Sequence, residues 1–116
     1  MLEGVKVLSF THYLQGPSAA QALADLGADV VKVESCRGAY ERVSVFYLMA
    51  NRNQRGVALD LKSDEGRETI YRLVRDKGYD VILENFRPGV MDKLGLGYEE
   101  LKKLNPGVIY CSCTGY

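Results

Sequence analysis

Short apolar runs alternate with longer amphipathic stretches along this chain, the pattern of strands and helices taken in turn. Residues 5–10 (VKVLSF) predict a first strand. A loop over residues 11–16 leads to Pro17, well placed in the first turn of a helix that runs through SAAQALADL and stops at Gly27. Residues 30–33 (VVKV) predict a second strand ending in Glu34, followed by a loop over residues 35–42 without periodicity. Residues 43–51 predict a short helix, because Phe46, Tyr47 and Ala50 fall on one face. Residues 57–61 (VALDL) predict a third strand, and Ser63 caps the next helix, with Asp64 and Glu65 near its positive end. Ile70, Leu73 and Val74 form its apolar stripe, and Gly78 closes it. Val81, Ile82 and Leu83 read as a strand buried on both faces. YEELKKL (98–104) predicts an amphipathic helix stopped by Asn105-Pro106-Gly107, and residues 108–113 (VIYCSC) a fifth strand.

Strands alternating with helices at this spacing imply parallel βαβ units joined by right-handed crossovers. The expected fold is therefore α/β and Rossmann-like, with residues 1–116 forming one segment of one core. The chain runs out at Gly115-Tyr116 just past a strand, so that part of the sheet is expected to need further chain or a partner to cover it.

Composition narrows the function classes. Fifteen basic and fifteen acidic residues cancel, which removes any global field directed at nucleic acid or a membrane surface. No apolar run approaches the roughly 20 residues that span a bilayer, and Met1-Leu2-Glu3-Gly4 does not begin a signal peptide, so a cytoplasmic location is expected. Cys111 and Cys113 alternate onto one face of a strand, where bridging would strain disulfide geometry, and they read as small buried apolar residues. Cys36 lies in a loop without an adjacent base. No metal-ligand spacing occurs, and His12 is the single histidine.

Three loops follow strand carboxyl ends, over residues 11–16, 60–63 and 84–89, and a parallel sheet gathers such loops on one edge, where ligands bind. The first runs through Gly16-Pro17 into a helix amino end, suited to a phosphate or carboxylate. The second presents Lys62, a cation that would also suit a solvated position before a helix. In the third, the apolar strand breaks into Glu84, Asn85, Phe86 and Arg87, then the turn pair Pro88-Gly89. Asn85 offers hydrogen bonds, Phe86 a stacking surface and Arg87 a bidentate clamp; equally, Asn85 suits a turn cap and Phe86 a loop anchor. Together these groups describe an anionic ligand with a flat ring, such as an adenine nucleotide. Glu34 is spaced to meet a ribose in a dinucleotide fold, but the first loop lacks G-x-G-x-x-G, which argues against NAD.

The runs GVKVLSFTHYLQGPSAAQALADLGADVVKVE, NRNQRGVALDLKSDEGRE and ENFRPGVMDKLGLGYEELKKLNPGVIYCSCTGY, in this order, resemble the amino-terminal part of class III CoA-transferases. That family includes formyl-CoA transferase, crotonobetainyl-CoA:carnitine CoA-transferase and α-methylacyl-CoA racemase. The resemblance implies coenzyme A as the bound nucleotide, with a CoA thioester and a carboxylic acid as substrates and a homodimer for the complete protein. Carried over by position, it implies contacts from Leu14 and Gln15 in the first loop and from Leu59 to Lys62 near the adenosine. It implies further contacts from Asn85, Phe86 and Arg87 along the nucleotide, and from Lys93 where relatives often have arginine. Glu34 is followed by Ser35 and Cys36 where relatives commonly place a clamping base, and Arg37 is the nearest cation.

The stretch between Glu34 and Asn51 is shorter than is usual in the family. The aspartate that becomes an acyl anhydride and then a CoA thioester, and the histidine–aspartate pair of the racemases, are expected beyond Tyr116. No catalytic residue is therefore expected on this chain. The resemblance leaves open a transferase, a racemase, or a catalytically silent CoA-binding segment.

Overall fold

Among the described residues five strands pair side by side, all parallel, in the order β3-β2-β1-β4-β5. The computed structural model describes residues 1–12, 14–36 and 50–114. The strands are β1 (Lys6–Phe10), β2 (Asp29–Glu34), β3 (Arg55–Ala58), β4 (Val81–Glu84) and β5 (Ile109–Ser112). The helices are α1 (Gln15–Asp25), α2 (Asp64–Asp76), the single turn α3 (Val90–Lys93) and α4 (Tyr98–Leu104). This is the order of the doubly wound Rossmann sheet through its fifth strand, and its topological switch falls between β1 and β4. The expected α/β parallel architecture is thus present.

Strand alternation divides the core between the two faces of the sheet. Val7, Val30 and Leu83 face α1, whose Ala20 and Ala24 let the helix lie close against the strands. Leu8, Phe10, Val33 and Ile82 face the other way, against Ile70 and Val74 of α2, Met91 of α3 and Leu101 of α4.

Most expected elements are present with small shifts. Ser63 caps α2 by accepting from the Gly66 amide at 3.0 Å, and Gly27 and Gly78 follow their helices with φ of 107° and 76°. The third strand occupies Arg55–Ala58 rather than 57–61. It begins early because an outer strand needs no apolar residue at Arg55, which instead donates to both Asp29 carboxylate oxygens at 2.7 and 2.6 Å. It ends early because Asp60 turns the chain, its Oδ1 accepting from the Lys62 amide at 3.0 Å.

Gly66 is required at that turn: a Cβ there would lie 2.1 Å from the Asp60 carbonyl oxygen. The one-turn helix α3 was not expected, being too short to show periodicity. Residues 43–49 of the helix expected over 43–51 lie outside the described residues.

Cys111 is exposed and Cys113 half-buried, which corrects the expectation that both are core residues. Pairing sets Cys111 beside Leu83 and Ile109 beside Val81, on the α1 side of the sheet. Among the described residues no helix covers that side of β5, and Ile109 is 63% exposed.

Candidate functional site

The chain leaves β1 and β4 at the switch point, and one side chain ties the two exits together. The Asn85 carboxamide accepts from the His12 amide at 2.9 Å and donates to the His12 carbonyl at 2.8 Å. Beside this link the His12 and Phe86 rings meet at 5.5 Å with a 47° tilt. Gly16, in the first turn of α1, permits the approach: a Cβ there would sit 2.6 Å from Thr11 and 3.3 Å from the Asn85 side chain.

Glu84, buried at the end of β4, organises the next residues. Its Oε1 accepts from the Phe86 amide at 3.0 Å, and its Oε2 accepts from Ser112 Oγ at 2.5 Å. Pro88 and Gly89 then fill the centre of a turn closed by the Val90 amide donating to the Arg87 carbonyl at 3.1 Å. Gly89 has φ 87° and ψ −13°, the geometry that a type II turn demands at its third position.

On the α1 side, the carboxyl edge of the sheet becomes polar. Ser9 and Thr11 hydroxyls lie 2.7 Å apart, and buried Lys32 donates to the Thr11 carbonyl at 3.0 Å and to Asn51 Oδ1 at 2.6 Å. A buried ammonium needs such partners, and here they fix the first loop. Among the described residues no side chain caps the amino end of α1, where Leu14 and Gln15 are exposed at the same sheet edge.

These loops border a cleft of about 690 Å³, within the range of small-molecule sites. Its walls are His12 from the first loop, Val33 and Glu34 at the end of β2 with Ser35 and Cys36 after it, residues 59–62 after β3, and Phe86, Val90 and Leu94 after β4. The lining combines an apolar floor (Val33, Leu59, Leu61) with few polar groups, notably Glu34, Asp60 and Lys62. A second hollow of about 350 Å³ lies along a single helix face of α2, from Asp64 to Arg72, where no loops converge.

The expected site residues therefore separate into groups. Leu59, Lys62 and Phe86 line the cleft together. Asn85 stands behind Phe86 with its amide engaged by His12. Arg87 and Lys93 are exposed on the same loop and on α3, outside the lining, and Leu14 and Gln15 lie at the start of α1. Arg37 lies outside the described residues. Val90 and Leu94 escaped sequence reasoning because their apolar spacing spans only one helical turn. Glu34, weighed there only as a ribose contact, is a buried wall of this cleft.

Residues 2–116 match the family described as CoA-transferase family III. The formyl-CoA:oxalate CoA-transferase of Streptomyces coelicolor is 41% identical, over 99% of this chain and 30% of its own length. An acyl-CoA transferase of Fusarium pseudograminearum is 39% identical, over 99% and 29%. Among solved structures, Rv3272 from Mycobacterium tuberculosis aligns with a TM-score of 0.94 at 42% identity, and a CAIB/BAIF family protein from Brucella suis with 0.93 at 42%. Each alignment covers 99% of this chain and 33% of the other. A Serratia marcescens short-chain dehydrogenase/reductase, with a TM-score of 0.56 at 13% identity, shares the fold alone. The chain thus spans about a third of the length of the relatives it matches. With the family match extending from residue 2 to the final residue, this chain belongs to CoA-transferase family III.

Proposed function

We propose that residues 1–116 form the coenzyme A-binding amino-terminal part of a class III CoA-transferase, which moves CoA between two carboxylic acids. The observation that carries this reading is the cleft between the carboxyl ends of β1 to β4, which sets Lys62 and Phe86 around one apolar floor in a chain of this family. In this reading Phe86 stacks on the adenine, and Leu59 packs against the adenosine. Lys62, Arg87 and Lys93 meet phosphate oxygens, Arg87 with a planar fork and the two lysines as point charges. Leu14 and Gln15, at the uncapped amino end of α1, receive a further anionic or polar part of the ligand. Arg37 is proposed as one more cation toward the nucleotide.

The reacting end of the thioester is handled by a carboxylate from the part of the family's length that this chain does not span. That carboxylate attacks the thioester carbonyl, forming an anhydride and releasing CoA thiolate. The thiolate then attacks the aspartyl carbonyl and expels the first acid, giving an enzyme-bound thioester; the second acid attacks that thioester to form a second anhydride and release CoA thiolate, which takes up the second acyl group and frees the carboxylate. The complete protein works as a homodimer in the cytoplasm. A racemase of the same family would use the same nucleotide handle, and the choice of acids rests with residues outside this segment.

The test is a pair of calorimetric titrations of the chain, one with CoA and one with NAD. Saturable one-to-one binding of CoA, with none for NAD, is expected. Preference for NAD, or binding of neither, would overturn the assignment.

A further inference from the structure

Glu84 is a buried, charged side chain that the proposed chemistry leaves unused. Strand pairing sets it between Phe10 of β1 and Ser112 of β5, and alternation from Ile82 turns it toward the α2 side of the sheet. A carboxylate buried there is costly unless donors reach it. Each of its oxygens has one: the Phe86 amide donates to Oε1 at 3.0 Å and the Ser112 hydroxyl to Oε2 at 2.5 Å.

The two bonds have different consequences. The bond to Oε1 spans two residues, so it folds the chain directly after the strand and fixes where the Phe86 backbone leaves the sheet. The bond to Oε2 ties the same carboxylate to β5, where the Cys113 amide also donates to the Glu84 carbonyl at 2.8 Å. Glu84 is not among the described residues that line the cleft, whereas Phe86 is, with its ring 5.5 Å from that of His12. Any effect of Glu84 on a ligand in the cleft therefore passes through Phe86.

We propose that Glu84 is a positioning residue for nucleotide binding, its carboxylate presetting the Phe86 backbone so that the ring faces the cleft before a ligand arrives. This role rests on the reading of the cleft as a CoA site. A ring set in advance loses less conformational freedom on binding, and affinity gains accordingly. What the Phe86 amide needs is an acceptor oxygen, which Glu84→Gln keeps in its carboxamide and Glu84→Ala lacks.

The experiment joins proton–proton contacts between the His12 and Phe86 rings, read by NMR in the unliganded chain, to calorimetric titration with CoA. The ring contacts are expected in the native chain and in Glu84→Gln, and are expected to be lost in Glu84→Ala. CoA affinity should fall roughly two- to tenfold in Glu84→Ala and stay near native in Glu84→Gln. In a Phe86→Ala background, Glu84→Ala should bring no further loss, whereas a general loosening of the fold would add one. Ring contacts that persist unchanged in Glu84→Ala, or the same further loss without the Phe86 ring, would overturn the proposal. Should Glu84→Ala not fold, hydrogen exchange in the native chain decides: a slowly exchanging Phe86 amide is expected, and exchange at the rate of an unprotected amide would overturn the role. A native chain that shows the ring contacts but binds no CoA would instead overturn the reading of the cleft, and with it the nucleotide that Glu84 serves.

Discussion

Asn85 holds His12, 73 positions away, by both of its backbone polar groups, and so joins the chain leaving β4 to the chain leaving β1. The cleft lies beside this link, bordered by the ends of β2 and β3, with His12 and Phe86 among its walls. Asn85→Ala removes both bonds and is expected to cost about 1–2 kcal/mol of stability. CoA affinity should fall as well, because the Phe86 ring loses the packing with His12 that orients it. Chemical denaturation and calorimetry on the same variant check both effects.

Glu84 offers a second route to the same loop. Glu84→Ala leaves the Phe86 amide and the Ser112 hydroxyl without their acceptor, at an expected cost of about 1–3 kcal/mol. Ser112→Ala removes only a donor and should cost less. A larger loss for the serine variant in urea unfolding would show that the carboxylate is not the organising group.

Direct contacts should separate from supporting ones in affinity. Phe86→Ala is expected to weaken CoA binding by about 1–3 kcal/mol if the ring stacks on the adenine. Arg87→Ala should weaken it in a salt-dependent way, since a phosphate contact is screened. Cys111→Ser, on the other side of the sheet at its edge, should leave affinity unchanged. Equal affinities for all three variants would argue against the site.

Gly16→Ala tests the close packing of α1 on the first loop. Its Cβ would meet Thr11 at 2.6 Å, so a loss of about 1–3 kcal/mol is expected. The double variant Gly16→Ala with Thr11→Ser, which removes the clashing methyl, should recover part of it. Thermal unfolding of the pair decides.

Burial raises the Tyr110 hydroxyl well above the usual phenol range, with Glu84 and Asp92 adding to the shift, and the hydroxyl donates to the Leu96 carbonyl at 3.1 Å. The folded state therefore holds this proton after the unfolded chain has released its own. The contribution is complete below the unfolded value near 10 and is lost as pH rises from there toward the folded value. Tyr110→Phe should flatten the decline in stability above pH ~10, measured as unfolding midpoint against pH.

Much of this was legible in the sequence for physical reasons. The apolar run 81–83 breaking into Glu84-Asn85-Phe86-Arg87 marks a strand end in any parallel sheet, and Gly27, Ser63 and Gly78 punctuate helices through local chemistry. What stayed hidden depends on contacts between distant segments. Nothing near Asn85 announces that its amide turns toward His12, nor that Glu84 reaches Ser112 on β5. The end of β3 at Ala58 is set by the Asp60 turn against Gly66, which a hydrophobic run such as VALDL obscures. The exposure of Cys111 follows from the edge position of β5 and from the side of the sheet on which α1 packs, neither of which is written in the local pattern.

In the proposed function, CoA occupies the cleft between the carboxyl ends of β1 to β4. Amide resonances of the isotope-labelled chain, followed during titration with CoA, test it most directly. Saturable shifts are expected at residues 33–36, 59–62 and 84–90, absent in Phe86→Ala at the same CoA concentration. Shifts confined to the outer face of α2 or to β5, with the cleft residues unmoved, would contradict it.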